Sequence, residues 1–378
     1  MTESAVITAY TRSPFTFASK GLLAETRPDD LSATVIRSLL DGLDVPPGDI
    51  EDVLWGCAFP EAEQGLNIGR TAGMLAGLPE TVAGATVNRW CGSSIQAIQT
   101  ASGMIATNAG DAFLCGGVEC MSRVPMMGFN ISPNPTWSKE LADDYIKVGL
   151  TAEKVAALYG LSREDQDRFA LASQTKASAA QQDGRTAQEI TPIRVGDTTV
   201  AHDGCVRETS MEKLAGLNPA FKENGTVTAG TSSPMTDGAT ALFVCREGYA
   251  RDRGMASLAR VRSFAVSGCQ PGVMGLGPIE SSRKAMARAG VTMRDIDLVE
   301  MNEAFAAQAE ACRRDLEIDP EKLNIDGGAI ALGHPLGATG GRLVGKAAQL
   351  LKRENKNLAL ATQCIGGGMG IAMVLEAT

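Results

Sequence analysis

The chain has 378 residues, 44% of them apolar and 21% charged, with 42 glycines and a formal charge of −9. That length buries a sizeable core and suggests roughly two to three domains, the composition excludes long disorder, and the acidic balance argues against nucleic acid as the main partner, which needs a basic face. Nine cysteines at 57, 91, 115, 120, 205, 245, 269, 312 and 364 form no even framework and follow no secretory signal, so they read as free thiols in a reducing cytoplasm.

Strand and helix patterns alternate along the chain, which is the α/β arrangement. A strand-like "AVITAY" opens it, helix-like "DLSATVIRSLLDGL" follows, then strand-like "DIEDVLWGCAF". Next comes "VNRWCGSSIQAIQ", where Ile95, Ile98, Ala101 and Met104 repeat at helical spacing and Ser93 or Ser94 is the expected N-cap. Cys91 precedes that helix, so the positive end of the helix dipole predicts a thiolate in a polar, glycine-flanked setting. A buried, inert thiol is the reading for Cys57, Cys115, Cys245, Cys269 and Cys312.

The middle of the chain differs in character. It carries "GLTAEKVAALYGLSREDQDRFALASQTKASAAQQ", one or two amphipathic helices, among many polar loops. His202, in the polar stretch "TTVAHDGCV", reads as a solvent-exposed histidine. The opening order then returns as "SLARVRSFAVSG", "GPIESSRKAMARAG" and "DIDLVEMNEAF". Asp49-Ile50 falls on Asp295-Ile296, Val53 on Val299 and Ala58-Phe59 on Ala304-Phe305, a constant offset of 246 (295 − 49). The same offset lays the helix after Cys91 on the helix after Gly337. A shared register of this length reads as internal duplication. The division expected is a first half of 1–117 with 237–260, an inserted loop domain of 118–236 that acts as lid or ligand platform, and a second half of 261–378.

His334 sits in "GGAIALGHPLGATGG", a glycine-rich loop with Pro335 leading into a helix, and reads as a general base. Cys364 in "TQCIGGGMG" follows a strand-like run, and the glycines behind it leave backbone amides open to an oxyanion, or simply permit a tight hairpin. Asn302 and Glu303 lie at a strand end, where open parallel sheets bind ligands. Asn302 orients a water or His334, or else caps the next helix. "GGRLVGK" lacks the Ser/Thr of a phosphate loop and falls inside a helical pattern, and no cysteine pair has zinc spacing, so no metal is expected. The uncharged run Leu358–Leu375 reads as two buried strands joined by a glycine turn, not a membrane span.

Together "NRWCGSS", "GGVECMSRVPM", "MNEAFAAQ" with "GGAIALGHPLGATGGR", and "CIGGGMG" resemble the thiolase family, in its order and over essentially the whole chain. The resemblance implies the thiolase fold, two duplicated βα halves in a five-layered α/β/α/β/α arrangement with an inserted loop domain. By position, it implies that Cys91 is the acyl-accepting nucleophile, His334 its activating base, and Cys364 the acid/base at the substrate's α carbon. Asn302 matches the residue that holds a water at one oxyanion site with His334, and Gly366 the glycine whose amide joins that of Cys91 in the other. Arg207 matches a residue near the nucleotide end of coenzyme A, Ser233 one near the pantetheine, and Met274 and Phe305 residues beside the acyl and thioester groups. A guanidinium also suits phosphate.

The implied activity is thiolytic cleavage of 3-ketoacyl-CoA by CoA to acetyl-CoA and a shortened acyl-CoA, as in fatty-acid β-oxidation, with acetoacetyl-CoA synthesis as the alternative. Coenzyme A is then a co-substrate with no permanently bound cofactor, and the expected assembly is a homodimer or homotetramer in the cytoplasm. The chain departs from the family pattern at Lys147–Gly149, Pro234, Thr339 and Trp90.

Overall fold

A computed structural model describes residues 3–378. The first part contains β1 (Ala5–Arg12), β2 (Thr16–Phe17), α1 (Pro28–Asp41), β3 (Asp52–Gly56), α2 (Ile68–Leu75), β4 (Ala83–Val87), α3 (Ser93–Ala106) and β5 (Ala112–Cys120). Between β5 and β8 lie α4 (Lys139–Ile146), α5 (Val148–Leu158), α6 (Arg163–Gln182), β6 (Ile193–Val195), β7 (Thr198–Val200) and α7 (Met211–Ala215). The remainder is β8 (Thr236–Arg246), α8 (Glu247–Asp252), β9 (Ala259–Gly268), α9 (Gly277–Ala289), β10 (Leu298–Met301), α10 (Ala306–Asp315), α11 (Ala329–Leu332), α12 (Leu336–Arg353), β11 (Leu358–Ile365) and β12 (Met369–Glu376).

The main sheet runs β10-β11-β12-β9-β1-β8-β5-β3-β4, with β2 on β8. At its middle β1 meets β9 through only Val6–Arg260 and Ile7–Ala259. Outward from that junction the orders are β1-β8-β5-β3 and β9-β12-β11-β10, so each of these eight strands has a mirror partner, while β4 and β2 belong to the first half alone. The starts of β3 and β10, 52 and 298, and of β5 and β11, 112 and 358, keep the offset of 246. The long connection from β5 to β8 corresponds to the short turn between β11 and β12.

Strand alternation explains the layering, because successive side chains point to opposite faces. Val53, Trp55, Leu114 and Phe243 pack outward with Val35 and Ile36 of α1 and Ile68 and Ala72 of α2. Leu54, Phe113 and Leu242 point the other way, into a core shared with Ile95 and Ile98 of α3 and Leu343, Val344, Ala347 and Leu351 of α12. Leu298, Ala361 and Met373 of the second half close that core, while Val299, Leu360 and Val374 pack outward on Ile279 and Met286 of α9 and Ala309 of α10. The result is α/β/α/β/α, as the resemblance implied. Helix α12 is buried on nearly every face because it lies in the middle layer.

Glycine lets α3 and α12 meet there. A Cβ on Gly340 would come within 2.8 Å of the Ile95 backbone nitrogen, so any larger residue forces the helices apart. The expected serine cap is not formed. Gly92 holds the N-cap position of α3 without a side-chain bond. Ser93 Oγ instead accepts the Arg89 N–H at 2.9 Å, and Ser94 Oγ accepts the Gly341 N–H of α12 at 2.7 Å. Both serines fasten the loop and the neighbouring helix. The run Leu358–Leu375 is two strands and a glycine turn, and "GGRLVGK" is internal to α12. Among the described residues no helix is long and apolar enough to cross a membrane.

Candidate active site

Parallel pairing of β3 with β4 and β5, and of β10 with β11, points their carboxyl ends the same way within each half. Cys91 follows β4, Asn302 follows β10, His334 precedes α12 and Cys364 lies near the end of β11. Cys91, His334, Cys364 and Gly366 line one apolar cavity of about 300 Å³, together with Ser233, Met274 and Phe305. Arg207 stands elsewhere. It is exposed on a groove beside α6, its guanidinium 5.9 Å from the Phe17 ring centre, and its backbone N–H donates to Gln174 Oε1.

Asn302 lies at the Nε2 side of His334 and does not cap α10, whose N-cap is Phe305. Its Nδ2 is 3.3 Å from His334 Nε2, and its Oδ1 is buried without a partner in the protein. The other ring nitrogen, Nδ1, is 2.6 Å from Thr339 Oγ1. That hydroxyl has one proton and donates it to Pro335 O at 3.1 Å, so it accepts from Nδ1–H. The tautomer leaves Nε2 unprotonated on the cavity side, accepting from Asn302 Nδ2 in this structure, where a base belongs. Thr339 thus performs the orienting bond with a hydroxyl. Burial, with a smaller contribution from Arg342, lowers His334 to about 3, so the imidazole is neutral.

The thiolate expected at Cys91 is corrected. Cys91 as a residue is half-buried, but the apolar packing around its sulfur pushes the thiol up to about 11, although the backbone N–H of Gly366 and its own act to lower it. Cys364 is also raised well above an ordinary thiol, by burial first and the nearby Cys91 second. Both sulfurs are protonated in the resting site. Of the cysteines expected inert, Cys57, Cys115, Cys245 and Cys312 are buried, while Cys269 is half-buried. His202 is exposed, as expected.

Two polar residues absent from the sequence reading hold the site. Glu119, at the end of β5, is fully buried and accepts from the backbone N–H groups of Ala58, Phe59 and Gly337 and from Gln64 Nε2 at 2.8–3.2 Å. It therefore ties the loop after β3 to the start of α12, two residues from His334. Gln363 Nε2 donates to the Cys91 carbonyl. The signal for Glu119 was a carboxylate in an otherwise apolar strand, "AFLCGGVEC". Trp90, beside the nucleophile, has a left-handed backbone with φ 46°, held by its N–H donating to Asn88 Oδ1 at 2.9 Å.

Residues 5–248 match the family described as "Thiolase, N-terminal domain", and residues 255–377 match "Thiolase, C-terminal domain". The chain is 46% identical over 385 residues to a 3-ketoacyl-CoA thiolase of Shewanella sp. (strain MR-7), covering 99% of both chains. It is 45% identical over 388 residues to a 3-ketoacyl-CoA thiolase of Bacillus subtilis (strain 168), again covering 99% of both. The crystal structure of the Bacillus anthracis acetyl-CoA acetyltransferase superposes with a TM-score of 0.92 at 35% identity, over 100% of this chain and 99% of that one. With both family domains matched in order across nearly its whole length, the chain belongs to the thiolase family.

Proposed function

We propose that the protein is a 3-ketoacyl-CoA thiolase, an acyltransferase that cleaves 3-ketoacyl-CoA with CoA in the β-oxidation direction. The observation that carries this reading is full-length identity of 45–46% to 3-ketoacyl-CoA thiolases, joined to a cavity holding Cys91, His334 and Cys364 together.

In this reading the Cys91 sulfur attacks the 3-keto carbon while its proton passes to His334 Nε2. The bond between C2 and C3 then breaks, leaving the acyl group on Cys91 and the enolate of acetyl-CoA. Protonated His334, and a water held by Asn302, stabilise the enolate oxygen, and the Cys364 thiol delivers its proton to C2. The buried Asn302 Oδ1 without a protein partner suits such a water. Incoming CoA gives its thiol proton to the Cys364 thiolate and attacks the thioester, whose oxyanion is met by the amides of Cys91 and Gly366. Cys91 leaves as thiolate and recovers its proton from His334. The two half-reactions share one acyl-enzyme, so ping-pong kinetics follow.

Coenzyme A is a co-substrate in this scheme, with no permanently bound cofactor. Ser233, Met274 and Phe305 on the cavity wall suit the pantetheine and thioester, and the exposed Arg207 suits the nucleotide phosphates. The division into halves 1–117 with 237–260 and 261–378, with 118–236 as the CoA platform, belongs to the same proposal, as do a homodimer or homotetramer and a cytoplasmic site.

The test is mass spectrometry of peptides after incubation with a 3-ketoacyl-CoA and no CoA. An acyl mass on the Cys91 peptide, lost in Cys91→Ser, is expected, and an acyl mass on another peptide would overturn the assignment. His334→Ala should lower the rate by roughly 10²–10⁴-fold in both directions. Cys364→Ala should stop exchange of the α protons of acetyl-CoA with solvent, and retained exchange would remove its acid/base role. Acetoacetyl-CoA synthesis is the second reading, favoured by the likeness to the acetyl-CoA acetyltransferase fold. Exclusive activity on acetoacetyl-CoA across a chain-length series would select it.

A further inference from the structure

The apolar surroundings of the two cavity cysteines differ. Cys364 packs with Met274, Ala304 and Phe305, and Cys91 packs with Phe59, Met121, Leu336, Trp90, Met126 and Met127. An acyl chain on the Cys91 sulfur starts beside the second group, all of which line the cavity. The three methionines there are unbranched and yield to a guest. Trp90 does not.

Two backbone hydrogen bonds and three ring neighbours fix Trp90. Its backbone sits in the left-handed region at φ 46°, with its N–H on Asn88 Oδ1 and its carbonyl accepting from Ser93 Oγ. Its ring stands edge-on to Tyr145 of α4 at 5.0 Å and is tilted against Phe59 at 6.1 Å. Its third neighbour is Gly366, where any Cβ would collide with the indole. Trp137 backs Tyr145 at 4.9 Å, so the wall is an aromatic stack two rings deep behind Trp90. Edge-to-face pairs of this kind add about 0.5–1.5 kcal/mol each beyond burial and hold the ring in place.

Resting on the thiolase reading above, we infer that Trp90, buttressed by Tyr145, is the end wall of the acyl pocket and restricts the enzyme to short- and medium-chain 3-ketoacyl-CoA. A chain that reaches the indole has to displace a ring held from three sides, whereas shorter chains gain apolar burial with each methylene. Tyr145 acts as a positioning residue, since it touches Trp90 and does not line the cavity.

The test measures kcat/KM for thiolysis of acetoacetyl-CoA, 3-ketodecanoyl-CoA and 3-ketopalmitoyl-CoA by the full chain and by Trp90→Leu and Tyr145→Ala. The wild type is expected to prefer the two shorter substrates. Trp90→Leu should raise the palmitoyl-to-acetoacetyl ratio by roughly tenfold or more, the scale of one or two buried methylenes in an acyl pocket. Tyr145→Ala should move the ratio the same way by less, because the indole gains freedom without being removed. A general loss of stability moves all three substrates together and leaves the ratio alone. A ratio unchanged in both variants, or a wild type that prefers 3-ketopalmitoyl-CoA, overturns the end wall while leaving the thiolase reading intact. No thiolysis of any substrate by the wild type overturns both. If Trp90→Leu does not fold, Tyr145→Ala decides.

Discussion

Cys91 sits two residues before the first residue of α3, so a helix dipole and a buried setting compete for its proton. A helix terminus contributes up to about 2 kcal/mol, near one and a half pKa units, whereas desolvation moves a group by up to roughly 3–5 units when burial is complete, and part of that range is enough at the half-buried Cys91. Burial wins, and the thiol stands at about 11. Alkylation by iodoacetamide should therefore rise about tenfold per pH unit between pH 7 and 9, since only the thiolate reacts. A rate already level at pH 7 would show a preformed thiolate. His334 shows the converse. Its folded value of about 3 lies below the ordinary 6.5, so on acidification the unfolded chain takes up a proton that the folded chain refuses. Stability from this group is complete above pH 6.5 and is lost as pH falls toward 3, by about 2 kcal/mol at pH 5. Urea unfolding at pH 7 and pH 5 should show a smaller acid loss in His334→Gln than in the wild type. Equal losses would place His334 in a less buried state.

At the scale of elements, the ends of β3 and β5 and the start of α12 are held together by one carboxylate. Glu119→Gln keeps the size but puts an amide NH₂ among four donors, leaving at least one buried N–H unsatisfied. The expected cost is roughly 3 kcal/mol in chemical denaturation, with acyl-enzyme formation slowed because Gly337 and the His334 loop lose their anchor. An unchanged midpoint would mean the four bonds are not formed together in solution. Element identity was legible in the sequence where period and register suffice. The offset of 246 located β10 and α12 from β3 and α3, and the strand-like run before Cys364 with the glycines after it marked β11 and the hairpin. Beyond the pairing of Asn302 with His334, side-chain partners were not legible. Ser94 looked like a cap because caps are local, yet its partner, Gly341, is 247 residues away. The Cys91 thiol was misread for the same reason, since Phe59, Met121 and Leu336, which bury it, come from separate segments.

Over the whole molecule, the connection between β5 and β8 is fastened to both halves by buried charge. Arg12 of β1, with no exposed surface, pairs with Glu189 at 2.8 Å and Asp203 at 2.6 Å, both in that connection. Lys346 of α12, the lysine of the false phosphate-loop pattern, reaches Glu189 at 3.3 Å and Asp326 at 2.7 Å, and Arg353 also holds Asp326. Forming such a network costs desolvation that its attractions only offset, so its presence adds little net stability, but removing one member leaves a charge buried and unpaired. Arg12→Met strands Asp203, leaves Glu189 to Lys346 alone, and should cost roughly 3–5 kcal/mol in urea unfolding. Adding Glu189→Gln and Asp203→Asn removes the stranded charges and should recover part of that loss, because contacting residues are not additive. The recovery separates the charge argument from a packing one. If the triple variant is as unstable as the sum of its single changes, Arg12 holds the three parts together through the shape of its side chain, and the pairing with Glu189 and Asp203 contributes nothing of its own.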